Sequence, residues 1–81
     1  STQISQIEQL DFIQLLNGHL MIGRIERIGH LFVYDFSGKR MLYKIIRPAE
    51  KTMVDLQNLN TGRVIIFLDY DGKSFRRKFL L

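Results

Sequence analysis

Residues 12–48 read FIQLLNGHLMIGRIERIGHLFVYDFSGKRMLYKIIRP, a run of apolar, strand-like segments, each closed by a turn residue. The segments are FIQLLNG, HLMIGRIERIG, HLFVYDFSG and KRMLYKIIRP, and the second carries an internal glycine, Gly23. Asn17-Gly18 supplies the positive backbone angles that a two-residue hairpin needs, so the first two segments read as paired strands. The second strand is expected to run from His19 to Ile28. Gly23 inside it removes a side chain where a strand must bend sharply or admit another backbone closely. Gly29-His30 interrupts the pattern, Ser37-Gly38 makes the next turn, and RMLYKII forms a fourth strand that ends at Pro48. This order of strand, tight turn, long bent strand and strand is how a very small, strongly curved antiparallel β-barrel is written. The expected fold class is therefore mostly β, with a small, strongly bent antiparallel barrel.

On either side of this run the reading loosens. Ile4, Ile7 and Leu10 recur three residues apart after polar Ser1, Thr2 and Ser5, which predicts a short amphipathic helix over 1–10. PAEKTMVDLQNLNTG admits two readings. It is a helix with Pro48 in its first turn, Met53, Leu56 and Leu59 at helical spacing and Gly62 as terminator, or it holds a short fifth strand at TMVDL. RVIIFLDYDGKSFRRKFLL is a hairpin around Asp71-Gly72, either added to the barrel or closing it. No repeat or linker divides the chain. The 81 residues are one domain, with an N-terminal helix over 1–10, a barrel core over 11–55 and a C-terminal hairpin over 62–81.

Composition narrows the function classes. There is no cysteine, which excludes disulfide staples and thiolate zinc sites and fits a reducing, cytoplasmic setting. Apolar residues form 46% of the chain but are broken by charges throughout, so neither disorder nor a membrane span is expected. STQISQIEQL carries no basic patch followed by an apolar stretch, and no secretory signal is read there. Twelve Lys and Arg against eight Asp and Glu give a net charge of +4, a moderately positive field on a small body.

No catalytic constellation is legible. His19 and His30 lie beside different turns without metal-site spacing. Glu26, Asp35, Asp69 and Asp71 form no recognisable pair, and no glycine-rich loop cradles a phosphate. The expectation is a chain that is not an enzyme and uses no metal or cofactor. Tyr34, Phe36 and Tyr43, at alternating strand positions, read as core or interface residues rather than base platforms.

Two stretches carry a family resemblance. FIQLLNGHLMIGRIERIG resembles the first signature of the Sm/LSm proteins and their bacterial relative Hfq, an Asn-Gly followed by a short strand, an internal glycine and I-E-x-I. MLYKIIRP resembles the second, sharing M-x-Y-K with the Hfq form and I-R with the LSm form. The resemblance implies an SH3-like or Sm-like form of the bent barrel and a homo-oligomeric ring of about five to seven copies closed by pairing of edge strands. RNA or single-stranded DNA would lie on loops around the pore. Carried over by position, the site is His30 and Leu31 in the first loop with Lys44 and Arg47 in the second; the imidazole and guanidinium would stack on bases. Gly29 stands where the family has an aspartate, Pro48 replaces a glycine and Ile45 replaces a histidine, so backbone-led, weakly selective binding is expected rather than a uridine pocket. Arg76, Arg77 and Lys78 form a secondary basic patch whose side chains alternate between two faces. The alternative is a protein-interaction or structural module on the same barrel.

Overall fold

The computed structural model describes residues 12–81, and the expected helix over 1–10 lies outside them. Seven strands follow in chain order: β1 Ile13–Leu16, β2 His19–Ile22, β3 Gly29–Asp35, β4 Arg40–Ile46, β5 Thr52–Asp55, β6 Arg63–Tyr70 and β7 Lys73–Leu80. They form two antiparallel sheets, β1-β2-β5 and β4-β3-β6-β7. Two of the turns are built by local backbone chemistry. Asn17 and Gly18 have φ of 51° and 76°, and Asp71 and Gly72 have 54° and 72°. Both pairs are the left-handed dipeptides whose twist suits a two-residue hairpin.

Asp35 organises the β3–β4 turn. Its Oδ1 accepts hydrogen bonds from the Ser37 hydroxyl at 2.6 Å and from the Ser37 and Lys39 amides, each at 2.9 Å. The Ser37 hydroxyl bond first, then the Lys39 amide, holds the Asp35 carboxyl below its ordinary pKa. A depressed folded-state pKa stabilises the turn above the unfolded value of about 3.9, and that contribution disappears as pH falls through the lowered value. In acid titration by NMR, the Ser37 and Lys39 amide resonances should move together with Asp35, below the usual carboxylate range. Asp35→Asn should remove that shared step.

The core is a single cluster drawn from both sheets. Ile13, Leu20, Ile22 and Val54 come from the smaller sheet. Leu31, Val33, Ile46, Val64, Ile66 and Leu68 come from the larger, with Ile25 and Leu56 from the connections. Alternation explains the assignment, since i, i+2 and i+4 of a strand share a face, as Val64, Ile66 and Leu68 do in β6. No polar or charged side chain is buried among the described residues. Functional chemistry in this region is therefore surface chemistry.

The path between the sheets corrects the expected long second strand. β2 stops at Ile22 because its neighbours run out, β1 beginning at Ile13 and β5 at Thr52. The Gly23 amide still donates to the Phe12 carbonyl at 2.8 Å, and Ile25 then makes an isolated bridge to Ala49 through bonds of 3.0 and 3.1 Å. Between that bridge and Gly29 the exposed Glu26 and Arg27 sit in the connection that leads the chain into the second sheet. A Cβ on Gly23 would stand 3.1 Å from the Phe12 ring and 3.5 Å from its carbonyl oxygen. Gly23→Val should therefore lower stability by about 1 to 2 kcal/mol in denaturant unfolding. An unchanged midpoint would mean that the close approach imposes nothing. Gly38 has open space around it but a φ of +94°. A side chain there meets a backbone cost of its own.

The two readings of 49–60 resolve to the strand, β5, which pairs with β2 through Leu20↔Val54 and Met21↔Met53. Asp55 Oδ1 accepts from the Gln57 amide at 2.8 Å and turns the chain out of the sheet. The C-terminal hairpin is no appendage. β6 pairs with β3 along the whole of β3, from Gly29↔Tyr70 to Asp35↔Val64, and carries part of the core.

Candidate nucleic-acid interface

Register decides which side chains share the outer face of the larger sheet. His30, Phe32 and Tyr34 of β3 pair with Ile45, Tyr43 and Arg40 of β4, and with Asp69, Phe67 and Ile65 of β6. A register shift between Val33 and Tyr34 lets both Leu42 and Arg40 face with their partners. On β7, Ser74, Arg76 and Lys78 pair with Asp69, Phe67 and Ile65, so they too lie on this face. The face pointing away from the core thus carries a continuous row of rings.

These rings touch one another. Tyr43 lies 5.1 Å from Phe32 and 6.0 Å from His30, nearly parallel to the imidazole at 9°. The Tyr43 hydroxyl and His30 Nδ1 are hydrogen-bonded at 2.8 Å. Tyr34 meets Phe67 edge to face at 5.5 Å. Cations lean over them: Arg40 over Tyr43 and Arg76 over Phe67, each at 5.9 Å, and Arg63 and Lys78 over the turn residue Phe36 at 5.8 and 5.9 Å. A groove of about 580 Å³ crosses β3, β6 and β7, floored by Phe32, Tyr34, Ile65 and Phe67 and bounded by Asp69 and Ser74. Tyr43 is 43% exposed, Phe36 48% and Ile45 50%. An antiparallel sheet with one wetted face should show polar residues there. This face sets a row of rings among its polar and charged residues.

The residues expected to bind nucleic acid scatter. His30 is on the ring face, but it belongs to β3 and not to a loop. Leu31 is fully buried, its side chain in the core where no ligand reaches it. The correction is physical: alternation along β3 sends Leu31 inward between two outward neighbours. Lys44 pairs with Leu31 and so projects to the side opposite His30, although exposed at the sheet edge. Arg47 is exposed just beyond the end of β4. The basic patch divides as its alternation requires. Arg76 and Lys78 join the ring face, while Arg77 turns to the other side, donates to the Ile13 carbonyl at 3.2 Å and lies 5.0 Å from the Phe79 ring centre.

The sequence carried a signal for this surface that was read otherwise. LFVY in β3 and VIIFL in β6 are apolar at successive positions, which marks strands covered on both faces. One of those faces is the core and the other is the ring face. Among the described residues no group of three or more His, Cys, Asp or Glu side chains is arranged to hold a metal ion. No described helix is long and apolar enough to cross a membrane. No family model matches this chain, and no curated protein matches it.

Proposed function

We propose that this chain binds single-stranded nucleic acid without catalysing a reaction, and that the strand lies across the outer face of the β4-β3-β6-β7 sheet. The observation that carries this reading is the row Tyr43, Phe32, Phe67 and Tyr34 on one open surface, interleaved with Arg40, Arg63, Arg76 and Lys78. Every base has a π face, so aromatic platforms hold unpaired bases without demanding a sequence, while cations beside them neutralise phosphates. Among the strand positions of this face, Asp69 is the one carboxylate, so the surface is complementary to a polyanion. Duplex bases are hidden in their stack and present no π face to such a platform.

The Sm-like resemblance belongs to the same reading. β4 and β7 border the larger sheet, and β1 and β5 border the smaller one, each with an edge that no other described strand pairs. Long open edges invite pairing with another chain, and a closed ring of about five to seven copies would cover them by repeating one head-to-tail contact. In that assembly neighbouring copies complete the barrel that one chain leaves open, and the ring serves RNA or DNA processing in a reducing cytoplasm.

The test is fluorescence anisotropy with labelled oligo-U, oligo-A, single-stranded DNA and a duplex of equal length, with light scattering on the same samples. Single strands should bind at low salt and keep part of their affinity as salt rises. The duplex should bind weakly and lose nearly all of it. Absence of binding to every single strand at low salt would overturn the proposal and leave a protein-docking face as the reading. A stable monomer in light scattering would remove the ring and leave the binding face standing.

A further inference from the structure

We propose that the groove between β3, β6 and β7 is a base-selecting subsite, in which Asp69 and Ser74 take a nucleobase that presents N–H donors, guanine foremost, in preference to uracil or thymine. The inference rests on the binding face proposed above and adds selectivity to it. Ser74 and Asp69 are directly paired across β6 and β7, and the Ser74 hydroxyl donates to Asp69 Oδ1 at 2.9 Å. That bond commits the hydroxyl proton. What the pair offers the groove is then acceptors alone: the second Asp69 oxygen, the spare lone pairs of the first and those of Ser74. Phe67 lies two residues before Asp69 on the same face, and Phe32 is its register partner. A base stacked on these rings therefore turns its edge toward the Asp69–Ser74 pair.

The chemistry of the base edges then decides. Guanine offers two adjacent donors, N1–H and the N2 amino group, which match the two oxygens of a carboxylate. Cytosine and adenine offer one amino group each. Uracil and thymine offer N3–H flanked by carbonyl oxygens, and those oxygens would face a carboxylate with no proton to share. The four cations of this face lean over rings, so the Asp69 carboxylate remains available as an acceptor.

The experiment uses the full chain and a labelled U-tract of fixed length in which one central base is changed to guanine, adenine, cytosine or inosine. The guanine strand should bind about tenfold more tightly than the all-U strand, with adenine and cytosine between them. Inosine keeps N1–H but lacks the amino group, and should lose several-fold of the gain. Asp69→Asn replaces an acceptor pair by an amide that complements uracil, and should reduce the guanine preference, read as the ratio of guanine-strand to all-U affinity in the same variant, to within about twofold. Equal binding of the guanine and all-U strands by the parent, or an undiminished preference in Asp69→Asn, overturns this inference and leaves the binding face intact. The inosine comparison needs no variant, so it decides the matter even if Asp69→Asn folds poorly. A parent that binds no strand overturns the binding face and this inference together.

Discussion

Leu31→Ala should lower stability by about 2 to 5 kcal/mol, the range for truncating a fully buried leucine in a core that collapses only partly around the gap. Leu31 has no exposed surface and sits at the centre of the larger sheet, opposite Leu68 on β6 and Lys44 on β4. A domain of this size has only a few to about ten kcal/mol in total, so the variant should unfold at much lower denaturant or temperature and be partly unfolded when purified. The expected readout is a fall in the unfolding midpoint with little change in slope. If Leu31→Ala were as stable as the parent and lost only oligonucleotide binding, Leu31 would be a ligand contact and the register of β3 would be wrong.

Tyr43→Ala and Phe67→Ala should each weaken single-strand binding by roughly 1 to 3 kcal/mol, and the double variant by about the sum of the two. Both rings stand on the outer face, on non-adjacent strands β4 and β6, so neither substitution removes the other's platform. Much of the loss should persist at higher salt, because stacking is not screened as a charge contact is. Lys78→Ala removes one cation on the same face, and its smaller effect should fade as salt rises. Melting curves distinguish lost stacking from lost fold, since Tyr43 lies at the sheet edge and is 43% exposed. Parent-like binding by both single variants and their combination would rule out the ring face as the platform.

Turns and strands were legible because their causes are local. Asn17-Gly18 and Asp71-Gly72 announce left-handed angles, and the structure has them. The fifth strand was legible only as one of two readings, since Met53 and Leu56 satisfy both a helical and an extended pattern over so short a window. Pairing between distant strands was not legible. Nothing in residues 12–35 states that β2 pairs with β5 or that β3 pairs with β6, because register depends on partners far along the chain, as Leu20↔Val54 and Leu31↔Leu68 show. The extended reading of His19–Ile28 failed for that reason.

The ring face escapes the sequence through a related limit. Tyr34 and Tyr43 read as core or interface because aromatic residues on strands usually bury their rings. Which of the two faces a ring occupies follows from register, and a shift of one residue exchanges them. The shift between Val33 and Tyr34 is such a case: it brings Arg40 onto the same face as Tyr34 while Leu42 stays with Val33. Lys44 and Arg47 follow from position in the second signature, whereas the structure gathers Phe32, Phe67, Arg76 and Lys78 from three strands on one surface.

The central claim, that the outer face of the four-stranded sheet holds the nucleic acid, is tested most directly by following side-chain aromatic and backbone amide resonances as a single-stranded oligonucleotide is added. The account predicts that Phe32, Tyr34, Tyr43 and Phe67 ring resonances shift first and furthest, with Arg76 and Lys78 amides beside them and the β1-β2-β5 sheet unmoved. Shifts confined to Lys44, Arg47 and the smaller sheet, with the ring resonances unchanged at saturation, would contradict it.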